Sequence, residues 1–470
     1  MHRRQEHDER TACRLLLECG IQLWCCTLNL VHSLPVPGTV MYKPAPCGVF
    51  DDVPPSGPIS TLSRGYWTHG DCCVLFLYQK SGRTIIRADH MTVGTKHQLV
   101  RWNTRLTKMM GCNVPIVGAP MAGHSGGALA AAVCRAGGLG FIGVGHWLAS
   151  ESGLQRLEQE VSLFRKHHAC SEEQHPLSLG FIGYSTFRDS KGWDRFQQVL
   201  EKYQPKCVQF FAPSVVMDDD KNGSATRNNI RMVHEHSKDT VVFAQVGTVQ
   251  EALVAVEAGA DVIIAQGSEA GGHGVRRSMG NGTLSLVRTL VKRLPAVPIV
   301  AAGGIVDGPT MAAALVLGCD GVVLGTRLWA SEESTGKQSF KDRLVATSSC
   351  DDVTRTSTFD WIQNTYSPTP WPEPYDSVGG IRNVTSKTWD DRPDELIAAL
   401  QKESIDSSTN PSGIATKYRQ ATIDGDADVA LVHAGEGVGL VDAIEPAETL
   451  VRRIAADCAT TIANSTMIVE

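Results

Sequence analysis

Between residues 114 and 324, short apolar runs and helix-length stretches alternate eight times, and this alternation leaves few folds open. The runs fall at residues 114–117, 139–144, 177–182, 207–211, 240–246, 261–266, 297–302 and 319–324. They are apolar at consecutive positions, as a parallel sheet covered on both faces requires. The stretches between them read as helices. Residues 128–136 are small and end at Gly137-Gly138. Leu154, Leu157, Val161 and Phe164 share one helical face. Further helices are expected at 193–203, 228–236 and 284–294. Thr248 and Glu251 have capping-box spacing, and Asp307 with Pro309 opens a helix that Gly318 ends. The pattern predicts an α/β chain whose residues 99–330 form a (β/α)8 TIM barrel. An open doubly wound sheet would carry its glycine signature after the first strand, whereas here the glycine pairs come late.

The flanks follow other rules. Residues 1–98 crowd charged residues, a Cys/Leu/Trp-rich run and proline-rich loops without periodicity, and are expected to be an appended, disordered segment. A working start at Met91 would account for it, which an intact-mass measurement checks. The run from 15 to 30 is interrupted by Glu18 and has no clean cleavage site after it, so it does not read as a signal peptide. Residues 331–470 are expected to form a C-terminal accessory region at the barrel mouth, its last helices returning to the barrel. It holds a helix near 340–346, an aromatic and proline stretch from Trp361 to Tyr375, a polar helix near 393–403, a glycine-rich run around His433, and a last helix over 446–456.

A net charge of -6 without a basic block argues against nucleic-acid binding, and no apolar run is long enough to cross a bilayer. Seven of the 14 cysteines precede residue 74; Cys134, Cys207 and Cys319 lie in apolar segments and read as buried free thiols. The final Met467-Ile468-Val469-Glu470 is no peroxisomal tripeptide, so the cytoplasm is the expected location.

Barrel enzymes place their chemistry on the loops after the strands. Gly303-Gly304 and Gly325-Thr326 follow strands seven and eight, where backbone N–H groups can point at phosphate oxygens. Pro120-Met121 follows strand one and could lie beside a flat ligand. Gln245 and Gln266 close strands five and six, either binding a ligand or supporting the loops. The strand-six loop, Gln266-Gly267-Ser268-Glu269-Ala270-Gly271-Gly272-His273-Gly274, presents a histidine among glycines, and His273 is the candidate proton-transfer residue. Glu269 reads as a helix cap or ion-pair residue, His124 and His146 as histidines of the pocket rim, and His433 as a residue that could fold over the mouth.

Trp102-Asn103-Thr104-Arg105-Leu106-Thr107, Ala119-Pro120-Met121-Ala122-Gly123, Gly267-Ser268-Glu269-Ala270-Gly271-Gly272-His273, Ala302-Gly303-Gly304-Ile305 and Leu324-Gly325-Thr326-Arg327 resemble the nitronate monooxygenases, formerly 2-nitropropane dioxygenases. The resemblance runs from about Trp102 to the C-terminus and includes Trp371-Pro372-Glu373-Pro374-Tyr375-Asp376 and Arg382-Asn383, with Ser377-Val378-Gly379-Gly380 departing from the usual continuation. It implies an FMN enzyme that converts an alkyl nitronate and O2 to a carbonyl compound and nitrite. It also implies phosphate binding at Gly303, Gly304, Gly325 and Thr326. The isoalloxazine would lie near Pro120, Met121 and Ala122, among Gln245, Gln266 and Gly271, and His273 would be the active-site histidine. Two rivals share these residues. One is an NAD(P)H-dependent reductase of quinones or enoyl thioesters, against which the missing GxGxxG fingerprint counts. The other is a non-catalytic flavin-binding paralogue, against which the intact glycine tracts and His273 speak.

Overall fold

Nine strand segments form one sheet whose end segments, Leu139–Gly140 and Ile142–Gly145, are separated by Phe141 alone. The sheet therefore closes on itself as an eight-stranded parallel barrel. Its second strand pairs with the first through Leu139–Gly140 and with the third through Ile142–Gly145. The other strands are Ile116–Gly118, Ser178–Ile182, Cys207–Phe211, Val241–Val246, Val262–Gln266, Ile299–Ala302 and Gly321–Leu324. This computed structural model describes residues 101–168, 177–186, 190–216, 228–405 and 413–465, with four short strands nearer the N-terminus.

Alternation along each strand divides the core in two. Val262 and Ile264 point into the barrel with Val117, Phe141, Phe243, Val300 and Val323. Ile263 and Ala265 point outward into the layer shared with the helices. Both faces are dry, which explains the continuous apolar runs. The short helix Arg105–Met110 adds Leu106 and Met110 to the inner cluster. Thr104 caps it, and Arg105 forms a fork on Asp320 with bonds of 2.8 and 2.7 Å.

Helices follow the strands as the pattern predicts, from Gly127–Arg135 to Gly308–Val316. The capping box of Thr248 and Glu251 and the Asp307 cap are both present. The last helix, Ala447–Ser465, packs against Gly127–Arg135 and Gly308–Val316, filling the remaining place in the helical ring. Arg135 holds Glu448 at 2.8 Å across one of these contacts. The helix runs to Ser465, beyond the expected end at 456, because Cys458 and Ile462 extend the buried face of Ile454.

The C-terminal region is joined to the barrel through a second sheet. Gly272–Gly274, in the loop after strand six, pairs antiparallel with Ser377–Ile381, which in turn pairs with Val353–Thr356. The tract Ser377-Val378-Gly379-Gly380 is thus the centre of a three-stranded sheet. The helices Gln338–Ala346, Thr358–Asn364, Val384–Trp389, Pro393–Ile405 and Ile414–Asp424 surround this sheet in the chain.

Contacts divide the chain after Gln98, with the barrel and C-terminal region in one unit. In the other unit, Val40–Met41, Gly65–His69, Cys72–Tyr78 and Thr84–Ile85 pair as an antiparallel sheet. The remainder of the segment expected to be disordered, including Met91, lies outside the described residues. Among the described residues no helix is long and apolar enough to cross a membrane, no acidic, His or Cys group could hold a metal, and Cys134, Cys207 and Cys319 are buried free thiols.

Candidate active site

The loops after the barrel strands surround one cavity, and every candidate site residue lines it. Pro120, Met121 and Ala122 form the wall after strand one. A hydrogen bond of 2.8 Å from the Met121 N–H to the Ser125 hydroxyl fixes that turn. Gly303, Gly304, Gly325 and Thr326 line the side built by strands seven and eight. Gly303 has φ 118°, a conformation that suits glycine, and a side chain there would meet the Thr283 hydroxyl at 2.7 Å. Gly435 donates its N–H to the Thr326 hydroxyl at 3.0 Å, drawing the glycine-rich run of the C-terminal region against this wall.

The two glutamines are both cavity-lining and structurally bound. Gln266 donates to the backbone carbonyl of His273 at 2.8 Å, and Gln245 accepts from Gln209 at 2.6 Å. Glu269 caps the sixth barrel helix, as expected: its carboxylate accepts from the Thr283 N–H and hydroxyl, each at 2.8 Å. Gly271 sits where the strand-six loop meets the C-terminal region, since a Cβ would come within 2.6 Å of the Ala434 carbonyl carbon.

His273 is held on three sides. Its Nε2 lies 2.7 Å from Oδ1 of Asp360, a residue with no solvent exposure on the helix Thr358–Asn364. Its ring stacks on Trp371 at a centroid distance of 3.7 Å and an interplanar angle of 15°. Its backbone is fixed by Gln266 and by the pairing with Val378. Arg355 ties the same loop down, donating to the carbonyls of Ser268, Ala270 and Ser377 at 3.2, 2.5 and 3.2 Å. Burial pushes the Arg355 guanidinium down to about 10, which leaves it charged at neutral pH.

Two more histidines reach the cavity. His124 lies 4.4 Å from the ring of Trp329 and 5.8 Å from His433, and His433 is 6.1 Å from His273. Desolvation holds the His124 imidazole down at about 4, helped by Lys341, and holds His433 well below its ordinary value, helped by the neighbouring histidines. Both are therefore neutral at pH 7. His433 does reach over the barrel mouth. His146 instead packs against Tyr184 and Trp371, at 6.4 and 5.8 Å.

Sequence reading passed over Asp360, Arg355, Gln209 and Trp329. Asp360 lies 87 residues from the histidine it binds, with no local signal in Thr358-Phe359-Asp360-Trp361. Gln209 could have been found, since a polar amide within the buried run Cys207–Phe211 demands a partner.

The nitronate monooxygenase family model matches residues 221–457. Nitronate monooxygenase npaC of Metarhizium robertsii is 32% identical over 352 residues, spanning 72% of this chain and 88% of that protein. The nitronate monooxygenase of Neurospora crassa is 31% identical over 357 residues, spanning 73% and 88%. Among solved structures, FabK from Thermotoga maritima superimposes with a TM-score of 0.59 at 25% identity, covering 78% of this chain and 100% of that one. The nitroalkane oxidase from Streptomyces ansochromogenes gives 0.57 at 25% identity, covering 77% and 99%. A cavity built by the glycine tracts and His273, together with these likenesses, leads to one assignment: the chain belongs to the nitronate monooxygenase family of flavin-dependent oxidoreductases.

Proposed function

We propose that this enzyme oxidises alkyl nitronates with O2, using FMN, to a carbonyl compound and nitrite. The observation that carries the reading is the placement of His273 in the same cavity as the bare-backbone wall of Gly303, Gly304 and Gly325. The residues fit FMN. Glycine backbone and the Thr326 hydroxyl offer a phosphate neutral donors, and Gly303 has no space for a side chain. Pro120, Met121 and Ala122 provide one wall for a flat ring system, with Gln245, Gln266 and Gly271 around it. When bound, FMN would supply the redox chemistry, taking electrons from the substrate and passing them to O2.

The chain's own residues do the rest. His273 faces the substrate space, where it takes a proton from a neutral nitroalkane or holds the oxygens of a preformed nitronate. His124 and His433, held neutral, add polar surface without adding charge. Trp371 packs on the face of His273 and limits water around it. The test is one anaerobic experiment on the purified protein. Propionate 3-nitronate is added, the flavin bands are followed, oxygen is admitted and nitrite is assayed. Flavin reduction followed by reoxidation with nitrite release is the expected result. A flavin inert to nitronate but bleached by NADPH would move the protein to the reductases.

A further inference from the structure

A histidine that removes a proton must present one ring nitrogen bare, and the fold decides which. We propose that Asp360 is a positioning residue that fixes His273 as the tautomer with hydrogen on Nε2, leaving Nδ1 as the basic atom. Oδ1 lies 2.7 Å from Nε2 while Oδ2 is buried without a hydrogen-bond partner, and a carboxylate oxygen accepts, so in this arrangement Nε2 carries the hydrogen. Among the described residues Nδ1 has no hydrogen-bond partner, and the side chain, 14% exposed, lines the cavity. The Trp371 ring at 3.7 Å resists rotation of the imidazole, and Gln266 holds its backbone.

The barrel alone therefore does not complete its own base. Asp360 comes from the C-terminal region, is fully buried, and is not itself among the residues that line the cavity. Asp360 acts electrostatically on Arg355 and Tyr418, and His273 acts on His433 from the other side. Glu269, Arg277 and Glu436 act on Arg355 in turn.

The step, which rests on the function proposed above, is a proton transfer. Nδ1 takes the α-hydrogen of a neutral nitroalkane as H+. The C–H electron pair becomes the C=N bond of the nitronate, and the imidazolium keeps its Nε2–H on the Asp360 carboxylate. The proton then leaves Nδ1 for solvent. A substrate already ionised does not need this step.

The test compares two substrates in the full-length holoenzyme. In Asp360→Asn, the ratio of nitroethane turnover to ethyl nitronate turnover should fall by roughly 10-fold or more, the lower end of what loss of a carboxylate that orients a histidine costs. Asp360→Glu, which restores a carboxylate, should recover part of the ratio. An unchanged ratio in Asp360→Asn, or both turnovers falling together, would overturn the proposal. If the wild-type enzyme releases nitrite from neither substrate, the functional reading fails, and the tautomer is then read directly. Nitrogen-15 imidazole spectra, with His273 assigned by its loss in His273→Asn, should show protonated Nε2 and bare Nδ1. A bare Nε2 would sink the assignment of Asp360 whatever the reaction proves to be.

Discussion

The barrel and the C-terminal region both line the cavity, but with different materials. On the barrel side one stretch of the wall is bare backbone, with Gly303, Gly304 and Gly325 following strands seven and eight, and Pro120-Met121-Ala122 follow strand one. On the other side Trp371 and His433 contribute side chains beside the glycines Gly435 and Gly437, with Asp360 and Arg355 behind them. The backbone wall suits recognition of a common ligand part such as phosphate. The side-chain wall orients His273 and shapes what reaches it. Holding a flavin and carrying out proton transfer should therefore separate by mutation.

The largest effect is expected on the barrel side. Gly303→Val would need φ 118° in a β-branched residue and a Cβ 2.7 Å from the Thr283 hydroxyl. Purified protein should carry little or no flavin, read from its visible absorbance per mole of chain. Full flavin content would remove these glycines from the phosphate site.

His273→Asn should have the second largest effect and the opposite signature. Flavin stays bound, while turnover of neutral nitroalkane falls about 10²-fold or more. Unchanged turnover would take His273 out of the mechanism. Flavin loss in this variant would mean that the two walls do not divide the labour.

Arg355→Met comes third. It removes the donor to the carbonyls of Ser268, Ala270 and Ser377, which join the His273 loop to the C-terminal sheet. Carbonyls left buried without partners cost about 1–3 kcal/mol, so the urea midpoint should drop with an unchanged slope. A midpoint equal to wild type would show that the strand pairing of Gly272–Gly274 holds the seam alone.

The same division explains what the sequence could reveal. The barrel repeats one local pattern, so Val262, Ile263 and Ile264 announce a strand without knowledge of their neighbours. Its candidate site residues sit at fixed places in that repeat, and all of them line the cavity. The C-terminal sheet has no such repeat. Ser377–Ile381 is a strand because Gly272–Gly274 and Val353–Thr356 flank it, and these lie far away in the chain. Gly379 looks like a loop breaker in sequence, yet it serves close approach: a Cβ there would meet the Ala270 carbonyl oxygen at 2.5 Å. Asp360 was hidden for the same reason, since only tertiary contact brings it to His273.

The smallest expected effect is on stability against pH, and it tests whether the edge of the cavity where His124 meets Trp329 and His433 is dry. Desolvation lowers the folded-state His124 imidazole to about 4, against an ordinary value near 6.5 in the unfolded chain. As pH falls below about 6.5, the unfolded chain takes up a proton that the folded chain refuses. Stability contributed by neutral His124 is thus present above that pH and is lost progressively down to about 4. Between about pH 6.5 and 5.5 the loss from this residue should be about 1 kcal/mol. Urea unfolding at both pH values should show His124→Gln losing less stability than wild type by that amount. Equal losses would mean that water reaches His124 and that the wall beside Trp329 and His433 is wet.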